Sequence, residues 1–311
     1  MTASSDPRAT DAEPPADEAP RTGADLGAAP ARKPPRLAKR VRRRLAARLI
    51  GLAAIVLPRL YLAYMWLVRV TSKEDGQSLD DVLFGAVHRH DRAVAALWHE
   101  EVFTVAYNYR HFHGHTLASV SDFGEVISEM LRLCNFVVFR GGSGSKSRRR
   151  DVLGDLIEHM ETTPRVIYGL TVDGSQGPVY RLKPGAVAIA KACRAPIVLV
   201  RTHYARGITL RTWDRTQIPL PFNRRLTLAS GPYWIAPDAD DATAEAFRRH
   251  LESELLELTA RVAVELDGDP GPYWGFPPGW TTRWTPGRLG TPHGPHDLRP
   301  ENPPPWANRK P

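Results

Sequence analysis

His99 stands in Trp98-His99-Glu100-Glu101, where an apolar run from Ala93 to Trp98 gives way to a polar helix start. An imidazole presented at the edge of a sheet titrates near neutral pH, which suits it to general-base work on a hydroxyl. A second concentration of polar groups is Thr171-Val172-Asp173-Gly174-Ser175-Gln176-Gly177-Pro178, followed by Arg181-Leu182-Lys183-Pro184-Gly185-Ala186. This turn is longer than a connector needs to be, and it carries an acid, Asp173, and a cation, Lys183, before a Pro-Gly helix start. Loops of this kind at strand ends are where binding and catalytic groups collect. A third segment, Phe139-Arg140-Gly141-Gly142-Ser143-Gly144-Ser145-Lys146-Ser147, runs from a strand into a helix. Backbone amides freed by glycine, a helix N-terminus and two cations make a generic anion site there.

Other chemistries fit the residues less well. The nucleotide P-loop needs glycine directly before Lys-Ser and again five positions earlier, where Ser145 and Arg140 stand. The serine-hydrolase elbow needs glycine where Asp173 precedes Gly174-Ser175. His111, His113 and His115 alternate as ligands on an extended strand would, but no cysteine or carboxylate adjoins them, and they read as an exposed loop rather than a metal site.

The elements that must position these groups alternate in type. Strand-like runs cover Ala93–Trp98, His115–Val120, Phe136–Phe139, Arg165–Leu170, Pro196–Thr202, Ile208–Trp213 and Arg225–Leu228. Helix-like patterns cover Glu100–Arg110, Gly124–Leu133, Lys146–Met160, Ala186–Cys193 and Ala242–Leu266. Alternation of this kind predicts an α/β fold, a central mostly parallel or mixed sheet flanked by helices.

Four regions follow from composition. Residues 1–35 are rich in Ala, Pro, Asp and Glu without apolar periodicity and read as a disordered tail. Residues 36–70 form a basic and apolar, membrane-associated helical segment. From Arg32 to Arg48 there are nine Lys or Arg and no acid, and Leu49 to Val68 is a 20-residue apolar stretch. Pro58-Arg59 interrupts that stretch. An arginine at mid-bilayer costs roughly 2.5–3.5 kcal/mol on the lenient scale, so two short interfacial helices or a re-entrant hairpin are expected instead of a straight span. Residues 71–266 hold the α/β domain, and residues 267–311 form an irregular tail of Pro, Gly and Trp.

A formal charge of +8 and a pI near 9.7 call for an anionic partner. The basic run lacks interleaved aromatics and precedes an apolar segment, which suits an anionic bilayer better than nucleic acid, and no nucleic-acid partner is expected. Cys134 and Cys193 both lie in apolar segments, so they read as buried thiols of a reducing compartment rather than as a disulfide.

In order along the chain, these pieces resemble the glycerolipid and lysophospholipid acyltransferase superfamily, and most closely a bacterial branch known as a domain of unknown function. Trp98-His99 resembles the histidine of the family's His-x4-Asp block, and Phe139-Arg140-Gly141 its arginine block. Val172 to Pro178 with Lys183-Pro184-Gly185-Ala186 resembles the third block, and Ala195-Pro196-Ile197-Val198-Leu199-Val200 the fourth. Trp213-Asp214 and Ile218 to Phe222 further resemble that branch.

The resemblance implies transfer of a fatty acyl group from a thioester, acyl-CoA or acyl carrier protein, to the hydroxyl of a lysophospholipid or related polar lipid. His99 would be the general base. Arg140, Gly141, Ser143, Gly174, Ser175, Lys183 and Gly185 would bind the acceptor, with Arg140 and Lys183 on its phosphate. No metal or redox cofactor is implied, and the partners are membrane lipids and the acyl thioester. A thioester donor is cytosolic, which places the domain on the cytoplasmic face of the inner or plasma membrane. This chain departs from the pattern at Thr104, where the block's aspartate would be, and at Gln176. On a helix Glu100 and Glu101 point away from the face of His99, so Asp173 or a backbone carbonyl is expected to orient the imidazole. Thr104 also keeps open a catalytically silent lipid-binding or scaffold protein on the same fold.

Overall fold

The structure is a computed structural model that describes residues 37–76, 79–120, 122–141 and 146–267. Two compact units divide the chain, Met1–Ala46 and Ala47–Pro311. Of the first, only the opening turns of helix α1 (Leu37–Thr71) are described. The expected tails, 1–35 and most of 267–311, lie outside the described residues, as does Ser143.

The remaining elements run β1 (Lys73–Gly76), α2 (Leu79–His90), β2 (Arg92–Leu97), a 3-10 turn (His99–Glu101), α3 (Val102–Asn108), a second 3-10 turn (Arg110–Phe112) and β3 (His115–Ala118). They continue with α4 (Asp122–Leu133), β4 (Val137–Arg140), α5 (Lys146–Thr162), β5 (Val166–Thr171), α6 (Gly185–Cys193) and β6 (Ile197–Tyr204). A small pair, β7 (Gly207–Thr209) and β8 (Gln217–Pro219), precedes β9 (Arg224–Tyr233) and α7 (Asp241–Asp267).

The main sheet has seven strands in the order β1-β9-β6-β2-β5-β3-β4. Every neighbouring pair is parallel except β6–β9. This is the mostly parallel, helix-covered α/β sheet that the strand–helix alternation predicts.

Burial on both faces follows the two-residue period of a strand. On β2, Val94 and Ala96 join Leu156 and Met160 of α5, Val187 and Ile189 of α6, and Leu251 and Leu255 of α7 in one core. Ala93 and Ala95 turn the other way, to Leu83, Ala86 and Val87 of α2. β6 repeats the pattern: Ile197 and Leu199 face the first core, and Val198 and Val200 the second. β2 is apolar from Ala93 to Leu97 and β6 from Ile197 to Val200, so these central segments read as continuous apolar runs.

Three sequence expectations are corrected. Helix α1 continues through Pro58 instead of breaking there. Proline lacks an amide N–H, so a helix carbonyl is left over nearby. Arg59 Nη1 donates to Ile55 O at 2.7 Å, which gives this turn a side-chain hydrogen bond of its own. Ile208–Trp213 is not one strand, since only Gly207–Thr209 pairs, with β8, and Trp213 lies in a turn closed by Asp214. The histidine segment divides: His111 and His113 are exposed, whereas His115 opens β3, the strand expected to start there, packed on His159 and Tyr168 at ring distances of 5.0 and 5.9 Å. No group of three metal-ligating side chains occurs among the described residues. Cys134 and Cys193 are free and buried, as their apolar surroundings require.

Candidate functional site

The site forms at the carboxyl ends of the adjacent parallel strands β2 and β5, where open α/β sheets leave a crevice. Trp98 fixes the end of β2. Its indole is fully buried and donates to Thr259 Oγ1 of α7 at 2.9 Å, with Tyr180 edge-on at 5.4 Å. The next residue therefore emerges at a defined place. His99 is that residue, with about a fifth of its side chain exposed.

Parallel pairing continues past β5. Val172 N–H donates to Leu97 O at 2.9 Å, which places Asp173 beside His99. Asp173 is fully buried, and its Oδ1 accepts the His99 backbone N–H at 2.9 Å. The same oxygen lies 3.4 Å from His99 Nδ1. The backbone bond fixes the carboxylate, and the carboxylate in turn faces the imidazole.

The turn after Asp173 has a backbone that suits glycine at two places. Gly174 has φ +71, and Gly177 has φ +65. A Cβ on Gly177 would stand 2.6 Å from the Trp213 ring. That ring lies 5.1 Å from the His99 ring, so Trp213 bridges the turn and the histidine. Trp213 is held in turn by Asp214, whose carboxylate accepts from Thr212 Oγ1 at 2.5 Å and Thr216 Oγ1 at 2.8 Å. Ser175 and Gln176 are exposed at the tip.

Lys183 returns to the site because its N–H donates to Val172 O at 2.6 Å. Its side chain is exposed and runs past Gly174, with Cγ 3.5 Å from the position a Cβ would take there. Among the described residues its Nζ has no ion-pair partner. Gly185 follows, exposed, as the first residue of α6.

Arg140 ends β4 at the same side of the sheet, three strand positions from β2. Its guanidinium engages the start of α4. Nη1 donates to Gly124 O at 2.5 Å and also bonds Ser128 Oγ, and Nη2 pairs with Glu125 at 3.2 Å. Gly141 has a packing reason to be glycine, since a Cβ there would meet Val152 of α5 at 2.4 Å. The structure thus brings His99, Asp173, Gly174 and Lys183 together, and it engages Arg140 elsewhere.

Beneath His99 lies a group that sequence reasoning missed. Glu100, Glu101 and Arg201 are all buried, at 3%, 3% and 1% exposure. Arg201 pairs with Glu100 Oε2 and with Glu101 Oε1, each at 3.0 Å. Glu100 also accepts from Gln217 Nε2 at 2.5 Å and from the Tyr180 hydroxyl. Glu101 Oε2 accepts Thr202 N–H at 2.7 Å. Burial pushes the Glu101 carboxyl up to about 7, against the lowering effect of Arg201. The available signal was an arginine inside the apolar run Ile197 to Tyr204: a buried charge needs a counter-charge, and Glu100-Glu101 supplies two.

Thr104 is buried and donates to Glu101 O at 3.1 Å, so its hydroxyl closes the α3 turn. The position beside the histidine is filled by Asp173 from another strand.

No protein-family model matches this chain. It is 24% identical over 174 residues to "Uncharacterized protein RP090" of Rickettsia prowazekii (strain Madrid E), covering 53% of this chain and 72% of that protein. Among solved structures, it is similar to the crystal structure of the 1-acyl-sn-glycerophosphate (LPA) acyltransferase PlsC from Thermotoga maritima. That match has a TM-score of 0.41 and 12% identity, and covers 70% of this chain and 90% of the other.

Proposed function

We propose that the protein is a membrane-associated O-acyltransferase that moves a fatty acyl group from a thioester donor to the hydroxyl of a lysophospholipid or related polar lipid. The observation that carries the reading is the pairing of His99 with the buried Asp173 at the open end of the sheet. With Nδ1 turned to Asp173, Nε2 is the nitrogen left for an acceptor. It takes the hydroxyl proton as the oxygen attacks the thioester carbonyl; a C–O bond forms, the C–S bond breaks, and the thiolate leaves with a proton. General-base assistance of this kind contributes about 10²–10⁴-fold. Asp173 Oδ1, 3.4 Å from Nδ1, is near enough to orient the imidazole once substrate is bound and to stabilise the imidazolium that forms. Lys183, exposed and unpaired beside Gly174, meets the acceptor's phosphate.

Membrane contact is supported by α1. Its buried positions Pro58, Tyr61, Met65 and Val68 share one face. Leu52, Ile55, Val56, Leu60, Trp66 and Val70 are exposed apolar side chains of the same helix. So many exposed apolar side chains on one helix do not suit water. No helix among the described residues is long and apolar enough to cross a membrane, and an interfacial position fits α1. The basic sequence Arg32–Arg48 precedes this stripe and suits an anionic leaflet. The cytosolic origin of acyl thioesters favours the cytoplasmic face.

The test is purified protein with acyl-CoA or acyl carrier protein and a lysophospholipid panel, beside His99→Ala. Transfer that falls by at least about 10²-fold in the variant is expected. Transfer that survives it removes the mechanism. Thr104, which does not reach His99, favours a second reading, a catalytically silent lipid-binding protein. Saturable lipid binding without turnover over the same panel would select that reading.

A further inference from the structure

Away from His99, a cavity of about 220 Å³ is lined by Arg69, Ser72, Glu74, Tyr204 and Arg225. The sheet register explains the gathering: Glu74 is level with Arg225 across β1–β9, and Tyr204 is level with Arg225 across β9–β6. The last turn of α1 and the residue after it add Arg69 and Ser72. Every lining side chain therefore carries a polar group.

Arg225 is 4% exposed. Its Nη1 donates to Asn108 Oδ1 at 3.0 Å, its Nη2 pairs with Glu74 Oε1, and Asn108 in turn bonds the Tyr204 hydroxyl at 3.0 Å. Arg69 pairs with the other oxygen of Glu74 at 2.6 Å. One carboxylate thus stands between two guanidiniums, which leaves a net charge of +1 on the three. Glu74 and Arg69 are each nearly half exposed, whereas Arg225 is fixed. Ser72 Oγ is buried with no hydrogen-bond partner among the described residues, and an orphaned hydroxyl at a polar cavity calls for a ligand or water.

We propose that this cavity binds a phosphate group. Arg69 and Arg225 are its cations, Ser72 its hydroxyl donor, and Glu74 the built-in counter-ion that the phosphate displaces, while the Tyr204 hydroxyl, which donates to Asn108 Oδ1 at 3.2 Å, forms part of the wall. Converging guanidiniums match the oxygens of a phosphate better than a single ammonium does. The Glu74 carboxylate, paired with both arginines, offsets their mutual repulsion.

The cavity is separate from the His99 site. Its lining residues Arg69, Ser72, Glu74, Tyr204 and Arg225 include none of the groups at the His99 site. Arg201 with its two glutamates fills the space next to His99. The exposed apolar side chains Trp66 and Val70 flank Arg69 on α1, and the N–H of Phe222, 73% exposed, donates to Thr71 Oγ1 at 3.0 Å. An amphiphile can therefore place its phosphate among the arginines and its chain against these groups. A lipid headgroup and a free phosphate share the recognition chemistry. The inference does not depend on acyl transfer.

Calorimetric titration of the full chain with inorganic phosphate at constant ionic strength tests the free ligand. Co-sedimentation with phosphatidylcholine vesicles, with and without phosphatidic acid and against charge-matched phosphatidylglycerol, tests the lipid source. In at least one arm, saturable binding is expected that falls about tenfold in Arg69→Gln and rises by about the same factor in Glu74→Gln, the scale of one charge-assisted contact. Ser72→Ala, which removes only a hydroxyl, is expected to weaken binding several-fold and serves if Arg69→Gln does not fold. His99→Ala, which removes no phosphate contact, is expected to leave it unchanged, so failed acyl transfer and a failed phosphate site are told apart. Variant-sensitive binding in the phosphatidic acid arm alone assigns a lipid headgroup, and in the inorganic phosphate arm a free ligand. Absence of binding in both arms, or indifference to Arg69→Gln and Glu74→Gln, overturns the proposal.

Discussion

Asp173 gains its importance from two contacts made by one oxygen, the His99 amide at 2.9 Å and the His99 ring at 3.4 Å. Asp173→Asn keeps the shape and the backbone bond but removes the charge that favours the imidazolium. Its expected effect is a fall in kcat of about 10²-fold or more with KM little changed, measured by steady-state kinetics on the same lipid panel. Two buried groups elsewhere make stability depend on pH with opposite signs. Glu101 has a carboxyl pushed up from its ordinary 4.5 to about 7 by burial. The folded chain keeps that proton where the unfolded chain has lost it, so this contribution is full below about pH 4.5 and fades as pH rises to about 7. His115 is driven down from 6.5 to about 4, by burial first and then by the neighbouring His159. Its contribution is full above about pH 6.5 and is lost as pH falls toward 4. The two slopes oppose each other over most of that range. Glu101→Gln is therefore expected to make stability fall more steeply on acidification, as read by urea unfolding from pH 7 to pH 4.5. An unchanged slope would refute the assignment.

At the scale of elements, the site is built by register. Parallel pairing of β2 with β5 carries one residue past each strand, through Val172 to Leu97, and that extension sets Asp173 against His99. The turn beyond is clamped by Trp213 over Gly177. Gly177→Ala adds a Cβ 2.6 Å from that ring at φ +65. Over-packing costs about 1–3 kcal/mol, and the ring that must move is the one that touches His99. Activity is expected to fall further than the loss of stability explains, measured by comparing turnover with the shift in urea midpoint. Much at this scale was legible in sequence, because β2, β5 and the first half of β6 are apolar runs and α4 to α7 lie where helix-like patterns are read, although α2 (Leu79–His90) is not among those patterns. β1 (Lys73-Glu74-Asp75-Gly76) was not, since a polar edge strand lacks both signals and forms only because β9 offers it a partner. Nor was the continuity of α1 through Pro58, which is decided by local hydrogen bonding and by packing of Tyr61, Met65 and Val68.

At the scale of the whole molecule, a basic chain presents an apolar helix face that its own core does not cover. If that face meets a bilayer, Leu60→Glu with Trp66→Glu is expected to lower partition onto anionic vesicles by at least about tenfold while the fold is retained. Sedimentation and circular dichroism check the two halves of that statement, and equal partition would discount α1 as the contact. The sequence by itself determined the α/β class, the strand and helix faces and the segments in which polar groups concentrate, because periodicity and turn chemistry are local. With the family resemblance, which draws attention to Thr104, it offered Asp173 or a backbone carbonyl as the group that orients His99. Only the tertiary structure decided which charges meet. Arg201 lies 101 positions from Glu100, and Arg225 lies 151 from Glu74, yet sheet register makes each a neighbour. Arg140, whose type and position matched an anion contact, is bound into α4. A side chain's chemistry is written in its identity, but its partner is set by pairings between distant strands, and no local pattern encodes them.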